Sequence, residues 1–132
     1  MTTDRPGEIQ VAILADDLVW ADRLAGAVRR SGGVPRPARS AAGLASVLDG
    51  VDGCVVDLTA RAYDGVAALT AAHGAGIPVV AVGQHDDVEL RRAAREAGAE
   101  RVFAYRTLHE HADRELGAWI AALPGRGAGE PR

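Results

Sequence analysis

Short apolar runs alternate with alanine-rich stretches of helical period along almost the whole chain. Residues 9–14 (IQVAIL) read as a first strand. Residues 18–30 read as a helix, with Trp20, Leu24 and Val28 on one stripe. Ser31-Gly32-Gly33 ends that helix, because glycine takes the positive φ of a helix stop without steric cost. Residues 34–39 hold two prolines, which lack an N–H for a ladder, so a strand there belongs at a sheet edge. Ser40 is placed to cap a short helix running to Leu48, with Leu44, Val47 and Leu48 inward.

Residues 54–58 (CVVDL) form a continuous apolar run closed by a carboxylate, the signature of a buried parallel strand. A helix over 65–72 leads to a second buried strand at 77–82 (IPVVAV). Asp86 or Asp87 caps the next helix, which reaches Ala97 and stops at Gly98. Residues 101–105 make the fifth strand. The last helix covers 109–123 and buries Leu116, Trp119, Ile120 and Leu123. The pattern predicts an α/β fold, a flavodoxin-like, doubly wound five-stranded parallel sheet in the order 2-1-3-4-5 with helices on both faces. One domain spans 9–123, with flexible tails at 1–8 and 124–132.

Composition narrows the function. The chain has 132 residues, a net charge of −3 and one cysteine, Cys54. An internal disulfide and a thiolate zinc centre are excluded, and the acidic balance argues against nucleic acid as a partner. No apolar run is long enough to span a bilayer and the N-terminus lacks an export pattern, so a cytoplasmic location without membrane attachment is expected. All 15 basic residues are arginine, so no chemistry here uses a lysine.

A doubly wound sheet presents its site beyond the carboxyl ends of the strands, at the switch point between strands one and three. Asp16 and Asp17 close the first strand and Asp57 closes the third. Central strands lie ~4.8 Å apart, so the three carboxylates belong to one crevice. Crowded carboxylates repel unless a cation joins them, and a hard, oxygen-seeking ion, Mg²⁺ above all, suits such a set. Capping of the following helix by Asp16 or Asp17 stands beside that reading.

The stretches VAILADDLVWADRL, CVVDL, YDG, IPVVAV and AREAGAERVFAY together resemble the receiver domain of bacterial response regulators, from Ile9 to Leu123. The resemblance implies a CheY-like fold. It also implies that Asp16, Asp17 and Asp57 hold Mg²⁺, with the backbone carbonyl of Thr59 completing the shell. Asp57 falls at the position that accepts phosphate from a histidine kinase, and Asp64-Gly65 matches the family's usual pair before its third helix.

The departures fall on the switch. Receivers carry Ser or Thr at the end of the fourth strand, where this chain has Gly83, and Lys-Pro at the end of the fifth, where it has Tyr105 and Arg106. A lost lysine removes a charge-assisted donor worth ~1.5–3 kcal/mol, and a lost hydroxyl a further ~1 kcal/mol. The hydroxyl also makes the contact that distinguishes two states, and without a state-dependent contact a phosphoryl group shifts no equilibrium. Arg106 is the candidate replacement cation, either solvated or paired permanently with Asp57. His85 lies in the loop beside the crevice, in reach of a ligand or merely solvated. His109 and His111, two apart, diverge on a helix and chelate poorly.

The resulting expectation is a stand-alone, atypical receiver-like signalling module with no room after Leu123 for an output domain. It works through contact with another protein, a histidine kinase or downstream effector, or a second copy. It is phosphorylation-independent or weakly responsive and is not an enzyme. The alternatives are a phosphorylation-regulated response regulator of a two-component system and a small Mg²⁺-dependent phosphatase. The loop after the first strand, ADDLVW, lacks the small residues that cradle nucleotide or flavin phosphates.

Overall fold

The structure is a computed structural model, described here for residues 8–125. The parts of the expected tails at 1–7 and 126–132 lie outside the described residues. Five parallel strands, β1 (Gln10–Leu14), β2 (Val34–Ala38), β3 (Gly53–Asp57), β4 (Val79–Gly83) and β5 (Val102–Ala104), form one sheet in the order β2-β1-β3-β4-β5. The expected topology is the observed one.

Alternation of side chains along each strand divides the core in two. Val11, Ile13, Val55, Val80, Val82 and Phe103 face α1 (Leu18–Arg30) and α5 (Tyr105–Ala121). Ala12, Leu14, Cys54, Val56, Val79 and Ala81 face α2 (Ala41–Val47), α3 (Gly65–Gly74) and α4 (Val88–Glu96). Both faces of β3 and β4 are covered, and every residue of these two strands is buried. That is why their sequences are continuously apolar rather than alternating. Pro35 and Pro37 are tolerated because β2 is an edge strand, paired only with β1.

The helix starts follow their caps. Asp17, Ser40, Asp64 and Asp87 each accept a hydrogen bond from the backbone N–H three residues on, at 3.0–3.1 Å. Each satisfies one of the orphan donors of a first turn and is worth about 1 kcal/mol. Asp87, of the two candidates, caps α4. Gly32 and Gly98 have φ of 87° and 119°, which end α1 and α4 as expected. Gly53 has a different reason to be glycine. A Cβ there would lie 2.8 Å from the Trp119 ring, so the indole lies directly on β3. The Trp119 Nε1 donates to Glu100 Oε1 at 3.0 Å, and the ring is buried.

One element departs from expectation. The last helix begins at Tyr105, immediately after β5, and not at His109; Tyr105 is helical rather than the end of a strand. A proline at 106 would push the residue before it out of the helical region, and with Arg106 there Tyr105 is free to open the helix. The helix kinks at His111 (φ −135°, ψ 33°), so the segment beyond lies near the expected boundary.

Candidate functional site

The carboxyl ends of β1, β3 and β4 open into a cleft of 540 Å³ lined by Asp16, Asp17, Trp20, Asp57, Thr59, Arg61, Gln84 and Tyr105. Asp57, the last residue of β3, is its floor and is 2% exposed. Its Oδ1 accepts from the Thr59 N–H at 3.1 Å and from the Thr59 hydroxyl at 3.1 Å. The Tyr105 hydroxyl also donates to Asp57 Oδ1 and lies in close contact with Thr59 Oγ1, the single proton of each hydroxyl being turned to the carboxylate. The Tyr105 ring rests on Trp20, with centroids 4.7 Å apart.

The two aspartates of β1 are occupied differently. Asp16 Oδ2 accepts from the backbone N–H groups of Arg61 and Ala62, both at 3.0 Å, and so pins the loop after β3. Asp17 turns Oδ1 to the N–H of Trp20 as the cap of α1. The capping alternative therefore describes Asp17, while Asp16 works as a loop anchor.

The expected Mg²⁺ arrangement meets a conflict at this point. Asp16, Asp17 and Asp57 line one cleft, as expected from the strand ends. However, among the described residues no group of three or more His, Cys, Asp or Glu is placed to hold a metal ion. Each carboxylate turns one oxygen to protein donors and keeps the other. Asp57 takes two hydroxyls and an amide on Oδ1 alone. As arranged, these side chains do not form a resident Mg²⁺ site.

The other candidates separate cleanly. Gly83 ends β4, beside Leu58, and offers the cleft no side chain. Arg106 is exposed and is not part of the cleft wall, so the Arg106–Asp57 pair does not form; one residue along the helix from Tyr105, it points elsewhere. His85 is exposed, and its neighbour Gln84 lines the cleft instead. His109 and His111 are both exposed.

Two residues not singled out from sequence shape the site. Arg61 supplies the cleft with a cationic wall, carried by the loop after β3. Tyr63 lies beneath it. Its hydroxyl donates to the backbone carbonyls of Leu14, at 3.0 Å, and Asp57, at 2.7 Å, joining the ends of β1 and β3. Burial, and after it the charge of Asp57, pushes the Tyr63 phenol well above its usual range. Burial and then the hydrogen bond to Asp57 do the same to Tyr105. The signal for Tyr63 was its place directly before the Asp64 cap, which gave no indication of its reach.

The fold, as distinct from the site, is found in solved structures. The chain is similar to a CheY-like response regulator receiver domain protein from Methanospirillum hungatei. The TM-score is 0.69 at 18% identity, covering 86% of this chain and 97% of that one. It is similar to a two-component response regulator from Clostridium difficile at TM-score 0.75 and 13% identity, covering 87% and 98%. The chain has the receiver-domain fold. A response regulator from Thermotoga maritima gives TM-score 0.73 at 13% identity, over 87% of this chain and 99% of that one. No protein-family model matches the sequence, and no curated protein does. Among the described residues of this receiver-fold chain, no helix is long and apolar enough to cross a membrane.

Proposed function

We propose that this chain is an atypical receiver-like signalling module, cytoplasmic, that acts by contact with a protein partner and does not use a phosphoryl-driven switch. The observation that carries the reading is the composition of the wall around Asp57. The acceptor carboxylate is kept at the end of β3. The end of β4 is Gly83, and the chain holds no lysine. A phosphoryl group on Asp57 would thus meet neither of the two donors whose contacts change between states, and a ligand without differential contacts moves no conformational equilibrium.

Surface features support a contact role. The exposed large apolar residues, Leu18, Val19 and Val88, sit at the first turns of α1 and α4, on the same end of the sheet as the cleft. Domain position 9–123 as a self-standing unit fits this role, since both core layers close within it. A catalytic role has no comparable support: Asp57 is shielded by Thr59 and Tyr105, and among the described residues no nucleophile–histidine pair lines the cleft.

The test is capture of partners on immobilised wild-type protein and on an Asp57→Asn variant, each with and without prior acetyl phosphate. The same partners at the same yield on all four surfaces is the expected result. A partner gained with acetyl phosphate on wild type and lost on Asp57→Asn would establish the phosphorylation-regulated alternative.

A further inference from the structure

The hydroxyl network on Asp57 is explained neither by strand burial nor by helix capping. Tyr105 opens α5 directly after β5, yet its hydroxyl reaches past β4 to a carboxylate on β3. A phenol donating to an ionised carboxylate makes a charge-assisted bond, the stronger kind. Tyrosine has few rotatable bonds, and the Trp20 ring against it, 4.7 Å away, limits them further. Thr59 closes the third side, its hydroxyl donating to Asp57 Oδ1 and touching the Tyr105 oxygen. An oxygen that already accepts three donors has little capacity left for a cation or a phosphoryl ligand.

We propose that Tyr105 is a latch built into the cleft, its hydroxyl together with that of Thr59 holding Asp57 Oδ1 and withholding that oxygen from a cation-bound phosphoryl ligand. This rests on reading the Asp57 cleft as a receiver-type site. The latch ties the start of α5 to the end of β3. The module therefore stays in one state because its own side chain occupies the place of the ligand. Tyr105 stands at the position of the missing lysine, so Tyr105→Phe removes the latch alone and Tyr105→Lys removes it and adds the lost cation.

The experiment compares wild type, Tyr105→Phe and Tyr105→Lys, all with Trp119→Phe so that Trp20 alone reports. Mg²⁺ with beryllofluoride is titrated against Trp20 emission. Acetyl phosphate labelling is followed by intact mass: attack by the Asp57 carboxylate forms its bond to phosphorus as the bond from phosphorus to the acetate oxygen breaks, releasing acetate. Wild type is expected to give neither response. Tyr105→Phe keeps the ring on Trp20, removes the donor, and is expected to bind at least about tenfold more tightly, the size of a charge-assisted hydrogen bond. Tyr105→Lys is expected to gain as much or more, and adding Asp57→Asn abolishes both gains.

If both variants melt as wild type does and stay silent, the latch is wrong while the phosphate-independent reading stands. If wild type responds as strongly as Tyr105→Phe, both fall. A gain that survives Asp57→Asn places the ligand elsewhere and overturns the latch, as does collapse of both variants, which assigns Tyr105 to the core alone.

Discussion

Trp20 and Tyr105 meet as a tilted pair, centroids 4.7 Å apart and planes at 47°, across the mouth of the cleft that holds Asp57. One residue comes from the first helix and the other from the last, so this contact joins the two helices that share one face of the sheet at its functional end. Trp20 is therefore a fluorophore in contact with the group that bonds Asp57. Tyr105→Ala is expected to shift Trp20 emission to longer wavelength in a Trp119→Phe background, because the ring that shields the indole is gone. Tyr105→Phe is expected to leave the emission maximum where it is. Steady-state emission spectra of the two variants decide it.

The two tyrosines give a pH prediction free of other phenols, since the chain has only these two. Both have pKa values raised in the folded protein, first by burial, and then by Asp57. A group whose folded pKa is raised stabilises the fold fully below its unfolded pKa, about 10 for tyrosine, and that contribution is lost as pH rises through the folded value. Stability from these groups is thus constant through neutral pH and declines above about pH 10. Ultraviolet difference absorbance is expected to show no phenolate at the ordinary tyrosine pKa until the protein unfolds. Phenolate appearing there in the folded protein contradicts the raised values of the two phenols.

Tyr63→Phe isolates the clamp between β1 and β3. It removes the hydrogen bonds to the Leu14 and Asp57 carbonyls and changes little else in shape. A loss of ~0.5–1.5 kcal/mol in urea unfolding is expected, the net value of such a bond. A loss under ~0.3 kcal/mol would show that water replaces the hydroxyl without cost.

Two glycines of the sheet should behave oppositely. At Gly53 a Cβ would lie 2.8 Å from Trp119 and 2.9 Å from Leu123, whereas at Gly83 the nearest atom is Leu58 Cδ1 at 3.4 Å, an ordinary contact. Gly53→Ala is expected to cost ~1–3 kcal/mol by overpacking, and Trp119→Phe in the same chain to recover part of it. Gly83→Ser is expected to change stability by less than ~1 kcal/mol, so the cleft has room for the hydroxyl it lacks. Denaturant midpoints of the three variants check both statements.

The sequence made the strand order, the caps and the position of Asp57 readable because each is written locally: apolar runs, Asp or Ser before a helix, glycine after it. What it did not reveal are contacts made at a distance. Position 105 was recognisable as the place of a missing lysine, but not that a phenol there would reach Asp57, which depends on α5 starting one residue after β5. Arg106, adjacent in sequence, was the more natural candidate by charge, yet the helical turn carries it outward. Arg61 and Tyr63 sit in the loop after β3, whose course is set by Asp16 accepting from Arg61 and Ala62. No periodicity encodes that course. Asp16, Asp17 and Asp57 line one cleft, but their separate engagement by backbone amides and hydroxyls is not written in the strand ends.

The most direct test of the account is an amide nuclear resonance spectrum of the wild-type protein before and after excess Mg²⁺ and beryllofluoride. The account predicts superimposable signals at Asp57, Thr59, Gly83 and Tyr105 and throughout α4 and α5. Saturable shifts that begin at Asp57 and extend into those helices would contradict it, by showing a phosphoryl mimic moving the fold between two states.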